Sequence, residues 1–171
     1  MLTIPEYNQI IHDWIVLLTG LSGKNVRPRK YRYGFTLTLP NGKPIAFDSV
    51  IASFYIGFNG TNGAIEYDNN ISAQTLRTAS VSVMFVGEEA DAYASQFQAL
   101  CKTDASRAYL RQNGFAIQGN PTTKQVDKEY AKKWFYRREV ALTLNEVLEF
   151  EVPNIAVYEN ISAVPININN K

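Results

Sequence analysis

The stretch WFYRREVALTLNEVLEFEV, residues 134–152, alternates in side-chain character over nineteen positions. Apolar residues keep even parity through it, at Trp134, Tyr136, Val140, Leu142, Leu144, Leu148, Phe150 and Val152. A period of two predicts a β-strand with one buried face. Because strands average ~5–6 residues, this length predicts a long strand with a bulge or bend near Asn145 and Glu146.

The segments before this strand predict two helices and further strands. The first helix opens at a capping box, Thr3 with Glu6, carries an apolar stripe from Tyr7 to Leu21, and ends at Gly20 and Gly23. The other predicted elements are strands at 33–39 and 45–58 joined by a Pro40–Lys43 hairpin, a strand at 76–86, a helix at 88–101 with a further turn or two to 110, and a short strand at 115–118. Residues 57–70, 119–121 and 122–133 read as connections, with a short strand near 64–67 and a surface loop or short helix at 122–133.

This order, α-ββ-β-α-β-β, predicts an α+β fold: an antiparallel or mixed sheet flanked by two helices. A chain of 171 residues is the size of one domain. We expect residues 1–152 to form that domain. Residues 153–171, with their many Asn and two Pro, are expected to form an extended C-terminal arm.

Composition and charge exclude several classes of protein. The net charge of +1 gives no overall field that would attract nucleic acid or an anionic membrane. One cysteine, Cys101, allows no internal disulfide and suits a reducing compartment. The longest apolar run, Trp14–Leu18, is far shorter than the ~20 residues of a membrane helix. We therefore predict no signal peptide, no membrane partner and synthesis in a cytosol.

Candidate catalytic and metal-binding residues do not combine into a site. His12 has no partner at metal or general-base spacing. The segment Gly20–Asn25 lacks the first Gly and the Ser or Thr of a phosphate loop. It also follows a helix, whereas a phosphate loop follows a strand. Cys101 falls on the apolar stripe of the second helix, as a core thiol does. We predict no enzyme activity, no cofactor and no metal.

Charged residues are the remaining candidates for function. A basic stretch holds Arg27, Arg29, Lys30 and Arg32, and an acidic region holds Glu146, Glu149 and Glu151. The basic stretch could contact phosphates, could be a solvated connector, or could meet the acidic region of a neighbouring subunit head to tail. Arg137 and Arg138 are further candidates for a subunit interface or a lumen. Arg138 has the parity of the apolar face, so its charge should have a partner.

Four segments resemble the neck or tail terminator proteins of contractile-tailed bacteriophages. They are ASVSVMFVG at 79–87, ADAY and FQAL at 90–93 and 97–100, Leu110 followed by GFAI at 114–117, and WFYRREVALTL at 134–144. The resemblance implies a structural virion protein, assembled in the host cytoplasm, that forms a hexameric ring. The ring would cap the tail tube, end its elongation and dock the tail to the head. Its partners would be copies of itself, the tail tube protein, the sheath protein and the head-side connector protein, with DNA passing through the lumen.

Three alternatives remain open at this point. Another neck component, such as a head-completion or connector protein, would use the same kind of surface. A nucleic-acid-binding module would use residues 24–33, although the low net charge argues against tight binding. A small hydrolase would need a pocket containing His12 or an Asp with a perturbed pKa.

Overall fold

The computed structural model describes residues 2–29, 50–61, 66–68, 72–130 and 133–151. Three helices lie in these ranges: α1 (Ile4–Thr19), α2 (Ala90–Leu100) and α3 (Asp104–Gln112). The strands are β1 (Val26–Pro28), β2 (Ile51–Thr61), β3 (Glu66–Asp68), β4 (Ser72–Val86), β5 (Phe115–Gln125), β6 (Lys128–Tyr130), β7 (Lys133–Phe135) and β8 (Arg137–Glu151). The predicted α+β fold with a mixed sheet is confirmed.

The main sheet has the strand order β1-β2-β4-β8-β5, and β3 pairs with β4 beyond the end of β2. β1 runs parallel to β2, whereas the other neighbours in this sheet are antiparallel. β4 and β8 are in register from Ser72 opposite Glu151 to Val86 opposite Arg137. β6 and β7 form a separate two-stranded hairpin. The two longest strands therefore stand side by side at the centre.

The core lies between the sheet and the three helices. Val140, Leu142 and Leu144 of β8 are buried there, which confirms the predicted inward parity of that strand. From the helix side, the Trp14 ring of α1 meets the Phe97 ring of α2 edge-on, with 5.2 Å between centroids. Aromatic pairs in this geometry add about 0.5–1.5 kcal/mol beyond the burial of their area.

Helix α1 begins and ends where the sequence predicts. The Thr3 amide and hydroxyl both donate to the Glu6 carboxylate, at 2.6 and 2.8 Å. Gly20 ends the helix with φ of +70°, a left-handed conformation that favours glycine. Its amide donates to the Val16 carbonyl at 2.9 Å. Local capping thus sets both ends of the helix.

The predicted bulge near Asn145 and Glu146 is wrong. The register of β8 against β4 and β5 is unbroken there, because β8 is paired on both sides and a bulge would disturb two ladders. The interruption instead falls at Tyr136, between β7 and β8, where the carbonyl accepts from the Gly87 amide at 3.1 Å.

Three connections also differ from the prediction. The expected turn at 119–121 is a register shift within β5, between Gln118 and Thr122, and Gly119 there has φ of +70°. The chain from 122 onward is the rest of β5 followed by β6, not a loop or short helix. The extra turns expected after the second helix form a separate helix, α3, and β2 continues to Thr61. The hairpin at 40–43 and the arm at 153–171 lie outside the described residues.

Candidate functional site

A buried charged cluster joins α1, β4 and β8. The Arg77 Nε and Nη2 groups donate to Glu146 Oε2 at 3.0 and 2.5 Å. The Tyr7 hydroxyl donates to Glu146 Oε1 at 2.5 Å. Glu146 is 6% exposed, and the Arg77 guanidinium lies 4.0 Å from the centre of the Phe58 ring. Burial, followed by the Glu146 carboxylate, raises the pKa of Tyr7 to about 12.

This cluster changes the interpretation of Glu146. The sequence suggested a surface acid that meets a neighbouring subunit. Its carboxylate is instead turned into the core and neutralised by Arg77 within the same chain. Arg77 was missed by the sequence analysis, although an arginine between Leu76 and the inward-facing Ala79 of a strand was a usable signal. The function of this cluster is to hold the helix layer on the sheet.

Arg138 has the partners that its parity required. Its Nε donates to Asp91 at the start of α2 at 2.7 Å, and its Nη1 donates to Asp127 at 2.8 Å. Asp127 also accepts from the Arg137 amide at 2.8 Å. That amide, the Gln125 side chain and Arg138 together lower the pKa of Asp127. Arg138 therefore ties three segments of one chain together.

Arg29 and Arg137 lie on the sheet face opposite the helices. Arg29 Nη2 donates to the carbonyl and the hydroxyl of Ser82, at 3.0 and 2.8 Å, and the Ser82 hydroxyl in turn donates to Glu139. Arg137 lies against the Met84 sulfur at 2.8 Å, and burial lowers its pKa. Small polar side chains cover much of the rest of this face, around a cavity of about 230 Å³.

The other predicted charges are dispersed. Arg27 is half-buried, and its Nε donates to the Lys24 carbonyl at 3.1 Å. Glu149 and Glu151 belong to the end of β8, opposite Gln74 and Ser72 of β4. Lys30 and Arg32 lie outside the described residues. The structure thus brings only some of the predicted residues together. Arg137 and Arg138 are neighbours in β8, but their side chains lie on opposite faces of the sheet.

The groups considered for catalysis have structural partners. His12 Nδ1 lies 2.7 Å from an Asp13 carboxylate oxygen and its Nε2 lies 3.0 Å from the Gly23 carbonyl; against the effect of burial, these two acceptors raise the His12 pKa. Cys101 is fully buried, and burial raises its pKa. Among the described residues, no three His, Cys, Asp or Glu side chains are placed to hold a metal ion. No helix in that part of the chain is long and apolar enough to span a membrane.

Comparison with known families decides the assignment. A family model described as phage neck terminator protein matches residues 9–171. The chain belongs to the phage neck terminator family. The match confirms the resemblance and extends it over both helical and strand segments, from within α1 to the last residue. No curated protein matches the chain.

Family membership gives this neck terminator a general function and place. It is a structural protein of the phage neck, located in the virion, and it interacts with other tail or head components. The charged clusters of the described residues fit that function, because Arg77–Glu146 and Arg138 with its two aspartates fix the shape of the subunit.

Proposed function

We propose that the neck terminator forms a ring of identical subunits, six in number, that caps the finished tail tube and stops its elongation. In this proposal one face of the ring contacts the tail tube and the sheath of a contractile tail, and the other docks to the head-side connector. DNA passes through the lumen without sequence-specific binding, and assembly takes place in the host cytoplasm. The observation that carries the proposal is the family match over residues 9–171.

The structure supports this proposal through the rigidity of the subunit. A protein that ends a tube has to present one fixed surface to several partners, which a firmly held sheet and helix layer provides. Here the central strands pair over their whole lengths, and buried ion-paired groups join them to the helices. Such a subunit binds with little loss of conformational entropy.

The predicted head-to-tail contact between the basic stretch and the acidic region remains a proposal in reduced form. Arg27, Lys30 and Arg32 would face Glu149 and Glu151 of the next subunit. Glu146 no longer belongs to this set, since Arg77 neutralises it inside the chain. Arg29 also leaves this set, because its guanidinium donates to Ser82 within the chain. Arg138, a separate candidate for an interface, already serves Asp91 and Asp127.

The decisive experiment is to delete the gene from the phage and image the lysate by negative-stain electron microscopy. Tubes of uncontrolled length, separate from filled heads, are the expected result. Expression of the wild-type chain from a plasmid should restore normal tails and serves as the control. Tails of normal length without heads would favour the alternative, a head-completion or connector protein. Intact infectious particles would refute a neck function of either kind.

A further inference from the structure

A groove between α3 and β5 combines an apolar floor with a cationic rim. Its cavity volume is about 340 Å³. Leu110, Ala116 and Ile117 line the floor, and Lys102, Arg107 and Arg111 line the rim. All three cationic residues are exposed. Arg111 is in the last turn of α3, where a cation complements the helix dipole, but the clusters described above require no positive charge at Lys102 or Arg107.

These cations are not neutralised within the described part of the chain. The four ion pairs found there involve other cations, namely His12, Arg77 and Arg138. Lys102 Nζ donates to the Asn120 amide oxygen at 2.8 Å, and Arg111 Nε donates to the Arg107 carbonyl at 3.3 Å. Arg107 and Arg111 are one helical turn apart, a spacing at which like charges destabilise a helix. An external anionic group would attract both arginines and so offset this repulsion.

The neighbouring sheet edge limits what kind of group can fit. Among the described strands, β5 is the last on its side of the sheet. Its pairing with β8 shifts register between Gln118 and Thr122, and Pro121 lies within the shifted segment. Bulges and prolines are features that prevent a further strand from adding to an edge. The groove therefore suits a compact acidic group better than an extended chain.

Such a group exists at the opposite end of the helix layer. Glu88 and Glu89 precede α2 and are exposed, and the Asp91 side chain is 74% exposed although it contacts Arg138. α2 has 11 residues and is about 16 Å long. It separates these acids from Lys102, which lies just beyond its other end. Acidic and basic surfaces on opposite ends of one subunit are complementary between copies related head to tail.

We propose that the groove of one neck terminator subunit receives the acidic start of α2, Glu88–Asp91, of a second copy. The contact rests on the proposed ring and supplies one of its repeating interfaces. Because the two surfaces are different, an open chain of subunits leaves one surface of each kind unused at its ends until the ring closes. Association should weaken as salt is added, since exposed charges carry the contact.

Charge reversal of each surface tests the contact. The variants are Arg107→Glu with Arg111→Glu, and Glu88→Lys with Glu89→Lys. Lys124→Glu is the control, at an exposed cation outside the groove and outside the basic stretch. We expect each double variant alone to lose at least about tenfold in self-association, because like charges then face each other. An equimolar mixture of the two should recover assembly with alternating subunits. The readouts are sedimentation velocity and carbodiimide cross-linking of Lys102 to Glu88 or Glu89, mapped by mass spectrometry.

The outcomes separate this contact from the ring itself. If both double variants form rings as readily as the wild type, the groove contact is overturned and the proposed ring is left in place. A wild-type chain that never self-associates, either in solution or on isolated tail tubes, would overturn both. If the arginine reversal instead abolished salt-sensitive binding of a short DNA duplex and left self-association unchanged, the groove would be a nucleic-acid contact and the proposal would be wrong.

Discussion

Glu146→Ala should be among the most destabilising single substitutions on the sheet of this protein. It removes the carboxylate that accepts from Tyr7 and from two donors of Arg77, in a place where the side chains of Glu146 and Arg77 are 7% and 15% exposed. The guanidinium would then remain largely buried without its counter-charge. Breaking a buried pair by removing one partner costs about 3–5 kcal/mol.

That loss is large beside the total stability of a domain, which is roughly 5–15 kcal/mol. Arg77→Met should cost a similar amount, because its apolar side chain can still pack on the Phe58 ring but the more buried Glu146 carboxylate is left without its counter-charge. Replacing both charges, with Arg77→Met and Glu146→Leu, should recover most of the loss, since well-packed apolar residues often substitute for a buried pair. The single variants Arg77→Met and Glu146→Leu and their double variant form a cycle whose coupling free energy measures the pair.

Urea denaturation followed by far-UV circular dichroism measures each change in the free energy of unfolding. The control is the slope of the unfolding free energy against urea concentration in the wild type. A variant with the same slope exposes the same surface on unfolding, so its native state is equally compact. A loss below about 1 kcal/mol for Glu146→Ala would refute the reasoning, since it would place the pair in the energy range of exposed ion pairs.

Three further substitutions test the local physics. The pKa of an unfolded tyrosine is about 10, and that of Tyr7 in the fold is about 12. The stability that the Tyr7 hydroxyl contributes is therefore fully present below pH ~10 and falls between pH ~10 and about 12. Tyr7→Phe should reduce this alkaline loss of stability, measured by urea denaturation at each pH. Gly20→Ala meets no atom within 4 Å, so the left-handed φ alone should lower stability by about 1–2 kcal/mol in thermal unfolding, and no change would contradict that conformation. Because the pKa of Asp127 is lowered by folding, its carboxylate stabilises the fold above pH ~4, and this stabilisation is lost on acidification. Asp127→Asn should therefore flatten the acid limb of the plot of stability against pH. An unchanged acid limb would exclude Asp127 as the titrating group.

The sequence was sufficient where local pattern and tertiary structure agree. The capping box, Gly20 and the parity of β8 are set by neighbouring residues, and each is confirmed. The apolar stripe of α1 likewise predicted its buried apolar residues, except that Ile10 is only half-buried; the buried Thr19 was not predicted. These features depend on helix and strand geometry alone.

The sequence was insufficient where a residue depends on a distant partner. The Asn145–Glu146 position looks like a polar interruption of an apolar face, and only Arg77, 69 residues away, makes a charge acceptable there. The continuity of β5 past Gly119 and Pro121 likewise depends on pairing with β8. The α3–β5 groove was invisible for the same reason, since Lys102 and Asn120 are brought together by the fold.

Cys101 offers a single chemical probe of whether these variants keep the native core. Its thiol is fully buried and donates to the Gln98 carbonyl at 3.1 Å, and burial raises its pKa. Because the thiolate is the reactive form, iodoacetamide at pH 8 should label the native chain on the order of a thousandfold or more slowly than the urea-unfolded chain, through opening of the core. Glu146→Ala should speed labelling about tenfold for each 1.4 kcal/mol of stability that it loses, because labelling follows the population of the opened state. Native labelling within about tenfold of the unfolded rate would show that the thiol is reached without unfolding, and the packing of α2 against α1 and β8 would have to be revised.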